Sequence, residues 1–334
     1  MSQQILRPMG IGRILDRSFQ LYRTHFVTLA ILMLVMYGPM LLLASALIGN
    51  SGSQYGSLIE QLQSGGGLES YLESTVETES SDMSAATILF GILGIIGTAL
   101  LSPVVIGAIV HLVRAQVDGE PIPGPGELLK RSFRRFWQLI GSSLLFGFIS
   151  MGLYLLIVAV FALVFGILVA TALSGGGSGS SAGLIILMII AIPALVIGIS
   201  FFVLRWSYFL PYVALGEEGV GIGRSWRVTK GSFWRLLLMY IVLGIILYII
   251  TIVLGLITGL FGGGVLSQIL YGLVTIVIGS LWILPYAVSF FDLRVRREGY
   301  GLDSLLGGNP AYPGMAPPPP PASWNNEGPP DNRP

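Results

Sequence analysis

The chain has 334 residues, 53% of them hydrophobic and 10% charged, with a formal net charge of +1 and no cysteine. A soluble domain carries about 25% charged residues, so most of this chain does not face water, and so small a net charge offers no bulk field for nucleic acid. The lack of cysteine excludes disulfides, iron–sulfur clusters and thiol catalysis, and two distant histidines, His25 and His111, argue against a zinc site built on histidine and cysteine.

The opening segment holds Arg7, Arg13, Arg17 and Arg23. Ile11, Leu15, Phe19, Tyr22 and Phe26 recur at helical spacing on one face, with Arg13, Arg17 and Gln20 on another. Such a helix suits a membrane interface. Six apolar runs follow, each long enough for the roughly 20 residues that cross a hydrocarbon core. They span about 26–47, 85–113, 139–173, 184–215, 236–260 and 269–290. Runs this continuous read as helices, since lipid leaves the backbone only its own hydrogen bonds. Ala44-Ser45-Ala46 resembles a signal-peptidase site. The long segment ahead of the first run argues instead for a retained span.

The connections alternate in charge. Those near 49–84, 174–183 and 261–268 contain no Lys or Arg, and the first carries Glu60, Glu69, Glu73, Glu77, Glu79 and Asp82. The others hold Arg114, Lys130, Arg131, Arg134 and Arg135, then Arg224, Arg227, Lys230 and Arg235, and finally Arg294, Arg296 and Arg297. Basic residues mark the cytoplasmic side. Both termini and the loops near 120 and 225 are therefore expected in the cytoplasm. Residues 301–334 include Pro317–Pro321 and are expected to form a disordered or polyproline cytoplasmic tail.

A threefold pattern runs through residues 1–300. Arg-Ser-aromatic occurs as Arg17-Ser18-Phe19, Arg131-Ser132-Phe133 and Arg224-Ser225-Trp226, each ahead of an odd-numbered span. Each even-numbered span carries a proline near its cytoplasmic end: Pro103, Pro211 and Pro285. The expected fold is an all-α integral membrane protein, with six transmembrane helices arranged as three units of amphipathic helix plus hairpin. Gly91, Gly94 and Gly97, and the pair Gly255 and Gly259, are expected to let helices pack closely within the bundle. Gly219-Val220-Gly221-Ile222-Gly223 meets no phosphate-loop pattern and reads as a joint.

Three segments carry a resemblance. Arg-Pro-Met-Gly-Ile-Gly-Arg-Ile-Leu-Asp-Arg-Ser-Phe-Gln-Leu-Tyr-Arg (7–23) opens the chain. Leu-Pro-Tyr-Val-Ala-Leu-Gly-Glu-Glu (210–218) precedes Arg-Ser-Trp-Arg-Val-Thr-Lys-Gly-Ser-Phe-Trp-Arg (224–235), and Phe-Asp-Leu-Arg-Val-Arg-Arg-Glu-Gly (291–299) closes the last span. Together they resemble bacterial six-span proteins related to the membrane domain of glycerophosphoryl diester phosphodiesterases, over roughly residues 5–300. In the enzymes of that name a separate soluble barrel with metal-binding carboxylates performs hydrolysis. The resemblance implies a membrane module without that activity.

The expected function is a non-enzymatic multi-pass membrane module in the bacterial cytoplasmic membrane, organising lipid or supporting a membrane complex through its basic cytoplasmic face. The candidate contacts for anionic lipid are Arg13, Arg17, Arg131, Arg134, Arg135, Arg224, Arg227 and Lys230. Expected partners are membrane lipids with anionic headgroups and, for a complex-supporting role, a protein in the membrane; nucleic acid is not expected, nor are cofactors, metals or catalytic residues. The alternative is a transporter or lipid-handling permease with a polar pocket at Arg205. Counted from Leu184, Arg205 reads as interfacial, snorkelling to phosphate beside Trp206, Tyr208 and Tyr212. With Pro211 aligned on Pro285 it lies opposite Gly279, roughly 18 Å from the inner end, and marks a pocket instead. Both readings are open at this point.

Overall fold

The computed structural model describes residues 9–48, 85–174, 179–217, 221–260 and 265–299. Among them every regular element is an α-helix, and no strand occurs. In chain order these are α1 (Ile11–Thr24), α2 (Phe26–Ile48), α3 (Ala85–Asp118), α4 (Pro125–Phe133), α5 (Phe136–Ser174), α6 (Gly179–Trp206), α7 (Phe209–Leu215), α8 (Ile222–Val228), α9 (Phe233–Gly259) and α10 (Val265–Glu298). The tail and most of the acidic connection lie outside the described residues.

Five of these helical stretches are long and apolar enough to cross a membrane: those of α3, α5, α6 with α7, α9 and α10. A sixth is counted when α1 and α2, bent by 81° at His25, are taken together. The chain is a multi-pass helical membrane protein. Several helices outrun their apolar cores. α3 has 34 residues, about 51 Å at 1.5 Å per residue, against a core of about 30 Å. It continues past 113 to Asp118, and α10 continues past 290 to Glu298. Hydropathy ends where charge begins, whereas helix-forming arginines and glutamates carry the helix on into water.

The stretch expected as one span over 184–215 is divided. α6 ends at Trp206, Ser207 and Tyr208 form a turn, and α7 restarts at Phe209. The restart places Pro211 in the first turn of α7, where its missing N–H costs nothing. Freed carbonyls are taken up by side chains. Ser225 Oγ donates to the Arg205 carbonyl at 2.7 Å, and the Tyr286 hydroxyl donates to that of Ser207 at 2.5 Å.

α10 is the centre of the bundle. It packs against α1, α2, α3 and α9, and 44% of its most apolar stretch is buried. The corresponding stretches of α5 and α6 are not buried at all, so this hairpin is peripheral and presents Phe148, Met151, Leu163, Ile189 and Ile190 outward. The main core joins Leu29, Leu32, Ile109, Leu112, Leu243, Leu284 and Phe290. Glycines set the closest approaches. A Cβ at Gly97 would lie 2.7 Å from Met40 Cε, and one at Gly272 would overlap Leu41, so α2 rests directly on α3 and α10.

Candidate functional site

The three short helices α1, α4 and α8 gather at one end of the bundle, with the C-terminal ends of α3, α7 and α10. Each turns its Arg-Ser-aromatic serine inward. Ser18 and Ser132 are 1% exposed and Ser225 is fully buried. A serine on the buried face lets its neighbours at i−1 and i+2 point outward, which is why cations accumulate there. α1 buries Ile14, Leu15 and Leu21 and exposes Arg13; α4 buries Leu128 and exposes Lys130, Arg131 and Arg134; α8 buries Val228 and exposes Arg227, with Lys230 beyond it.

The eight arginines and lysines expected to meet lipid differ in what they touch. Arg13, Arg134, Arg227 and Lys230 are exposed and have no ion-pair partner among the described residues. Arg131 pairs with Glu127 at 2.6 Å, an exposed i,i+4 pair that contributes little. Arg17 is half-buried and donates to Gln20 at 2.9 Å. Arg135 reaches Gln138 at 3.4 Å and covers Gly216. Arg224 turns inward, to Glu217 at 2.5 Å and Glu298 at 3.0 Å. Burial alone would lower its pKa; the hydrogen bond and charge of Glu298, with those of Glu217, more than offset that and raise it.

Two ionic networks lock this end. In the first, Arg294 joins Glu217 and Glu298, each at 2.8 Å, and the Tyr212 hydroxyl donates to Glu298 at 2.9 Å. Arg224 and Arg294 both lie over the Tyr212 ring. In the second, the fully buried Asp292 carboxylate accepts from the Met9 amide at 2.6 Å, Arg235 at 2.9 Å and Arg296 at 3.0 Å. The i,i+4 members, Asp292 with Arg296 and Arg294 with Glu298, were readable from spacing. Met9, Arg235 and Glu217 are joined to them only by the fold.

A cleft of about 890 Å³ opens beside the first network, lined by Gly221, Gly223, Arg224, Arg227, Val228, Arg297 and Glu298. Arg205 does not line it. The Arg205 guanidinium lies 4.1 Å from the Trp226 ring centroid and 5.3 Å from that of Phe201. Phe202, Trp206 and Phe233 complete an aromatic cluster around these rings. The Phe201–Phe233 contact, 5.1 Å between centroids, sets Arg205 level with the start of α9. Tyr208 and Tyr212, which the interfacial reading puts in an aromatic belt, are 0% and 1% exposed and belong to the core. Tyr208 hydrogen-bonds Ser289 at 2.8 Å and stacks on Tyr286.

His111 lies between α3 and α7 with its Nε2 buried and unpartnered. Among the described residues no three His, Cys, Asp or Glu side chains are grouped as metal ligands. No protein-family model, no curated protein and no solved structure matches the chain.

Proposed function

We propose that this protein is a non-enzymatic module of the bacterial cytoplasmic membrane that organises anionic lipid, or supports a membrane complex, through the basic end of its bundle. The observation that carries this reading is the set of cations without carboxylate partners among the described residues: Arg13 on α1, Lys130 and Arg134 at α4, and Arg227 and Lys230 at α8. Three separate helices contribute to one surface. Each cation near an anionic leaflet adds about 1 kcal/mol, so five give substantial attraction without any shaped pocket. Alternation of basic and uncharged or acidic connections supports a cytoplasmic position for this surface and both termini. The matching burial of Ser18, Ser132 and Ser225 supports an ancestry in three repeated units. Resemblance of 7–23, 210–218, 224–235 and 291–299 to the membrane domain of glycerophosphoryl diester phosphodiesterases supports a membrane module and offers no hydrolytic machinery.

The permease reading has one observation in its favour, the break in the fourth span, since transporters bind substrates at discontinuous helices. Here the carbonyls at the break already accept from Ser225 and Tyr286, and Arg205 is held among rings. The lipid reading is tested on the full chain in mild detergent. Expected is retention of phosphatidylglycerol over phosphatidylcholine, falling as salt rises from about 0.05 to 0.5 M. The variant Lys130→Gln/Arg134→Gln/Arg227→Gln/Lys230→Gln should lose most of that preference. Equal retention of both lipids at every salt concentration overturns the reading.

A further inference from the structure

One cation is set apart from the rest. Arg205 ends α6 inside the aromatic cluster of Phe201, Trp226 and Phe233, between helices whose outward faces are apolar, with Ile197 and Val203 exposed on α6 and Trp234 and Leu238 on α9. No carboxylate among the described residues forms an ion pair with it, and its Nε is buried without a hydrogen-bond partner. Its backbone carbonyl is occupied by Ser225. The guanidinium carbon lies over the Trp226 ring at 4.1 Å, and over that of Phe201 at 5.3 Å.

An unpaired charge beside hydrocarbon-facing residues calls for an anion. A guanidinium held over a ring at this distance keeps its planar fork of N–H groups, the geometry that phosphate oxygens accept in pairs. The surroundings choose the source of that phosphate. A free anion would have to shed water among the rings of Phe201, Trp226 and Phe233, whereas the open cleft of Arg224, Arg227 and Arg297 is available to it. A phosphodiester carried on acyl chains instead places those chains against the apolar outward faces of α6 and α9. We infer that Arg205, braced by Trp226, binds the phosphodiester of one phospholipid at the rim of the bundle between α6, α8 and α9. This rests on the lipid-organising reading but uses residues outside the exposed basic surface.

Native mass spectrometry of the full chain titrated with phosphatidylglycerol tests the site. Wild type should hold one more lipid per chain than Arg205→Gln, with that lipid bound about tenfold or more tightly than anything remaining in the variant. Trp226→Leu should weaken it several-fold, and Arg205→Lys, which keeps the charge but loses the fork, should do the same. Inorganic phosphate in about hundredfold excess should leave the lipid in place; displacement by it would show a free-anion site and overturn the assignment. Equal lipid number and affinity in Arg205→Gln also overturns it. If that variant does not fold, judged by its melting in lipid-free detergent, Arg205→Lys decides, and wild-type affinity there refutes the site. Lipid loss in the fourfold surface variant with none in the Arg205 variants keeps the broader reading and rejects this site. The reverse pattern keeps the site and rejects the broader reading.

Discussion

The phenolic hydroxyl of Tyr286 on α10 donates to the backbone carbonyl of Ser207 at 2.5 Å, across 79 residues of sequence. That carbonyl lies in the turn between α6 and α7, where no helical N–H is available to it. Tyr286 is thus part of the cap that makes a broken helix tolerable inside the bundle.

Tyr286→Phe keeps the ring that stacks on Tyr208 and removes only the donor. It should cost about 1–3 kcal/mol, the desolvation of an unsatisfied buried carbonyl. Ser225→Ala leaves the Arg205 carbonyl at the same break only the long Thr229 bond of 3.4 Å and should cost less, about 1 kcal/mol. The two share one turn, so their double variant should depart from additivity. Denaturant unfolding in detergent micelles measures all three, and a neutral Tyr286→Phe would show that water or lipid satisfies the turn.

Asp292 should be the most sensitive single position at the basic end. Asp292→Ala leaves Arg235 and Arg296 only the Met9 carbonyl and leaves the buried Met9 amide unpaired, at a cost of about 3 kcal/mol. Asp292→Asn still offers an oxygen to Met9 and should cost less. The ranking can be read from melting temperatures of the purified variants.

Gly216 and Gly223 make a matched pair. Gly216 closes α7 at φ +82°, where a Cβ is strained and would displace the Arg135 guanidinium. Gly216→Ala should cost about 1–2 kcal/mol. Gly223 has ordinary helical backbone and open space around it, so Gly223→Ala should stabilise by about 0.5 kcal/mol. Equal effects from the two would remove the conformational argument.

Orientation is open to chemistry because the chain has no cysteine. A cysteine at Gly126, in the first turn of α4, should resist an impermeant thiol reagent in intact cells and react after lysis. A cysteine at Ser178, between α5 and α6, should react in both. The opposite pattern reverses the topology.

The positions of the apolar helices were legible because each run is long and is bounded by charged residues on at least one side. The break at Ser207 was not: hydropathy is continuous from 184 to 215, and Pro211 signals a disturbance without saying that it falls three or four residues earlier. The inward turn of Arg224 was hidden for a related reason. On sequence it is one of four cations in 224–235, and nothing local separates it from Arg227. Glu298, 74 residues on, makes the difference. Arg205 was recognisable as unusual, since a charge stands out in an apolar run. That its neighbour is Trp226 depends on how α8 packs against α6, which no spacing encodes.

Order of synthesis gives the Met9–Asp292 bond a further meaning. The acceptor is made 283 residues after the donor, on the order of tens of seconds later at roughly 5–20 residues per second. During that interval α1 can pack only on α2 and, once it is made, α9, and Arg235 precedes its counter-ion. Emergence of α10 supplies the Met9 amide and Arg235 with one carboxylate, that of Asp292. α10 is therefore the helix that fastens α1, and a chain interrupted before α10 carries Arg235 without its carboxylate.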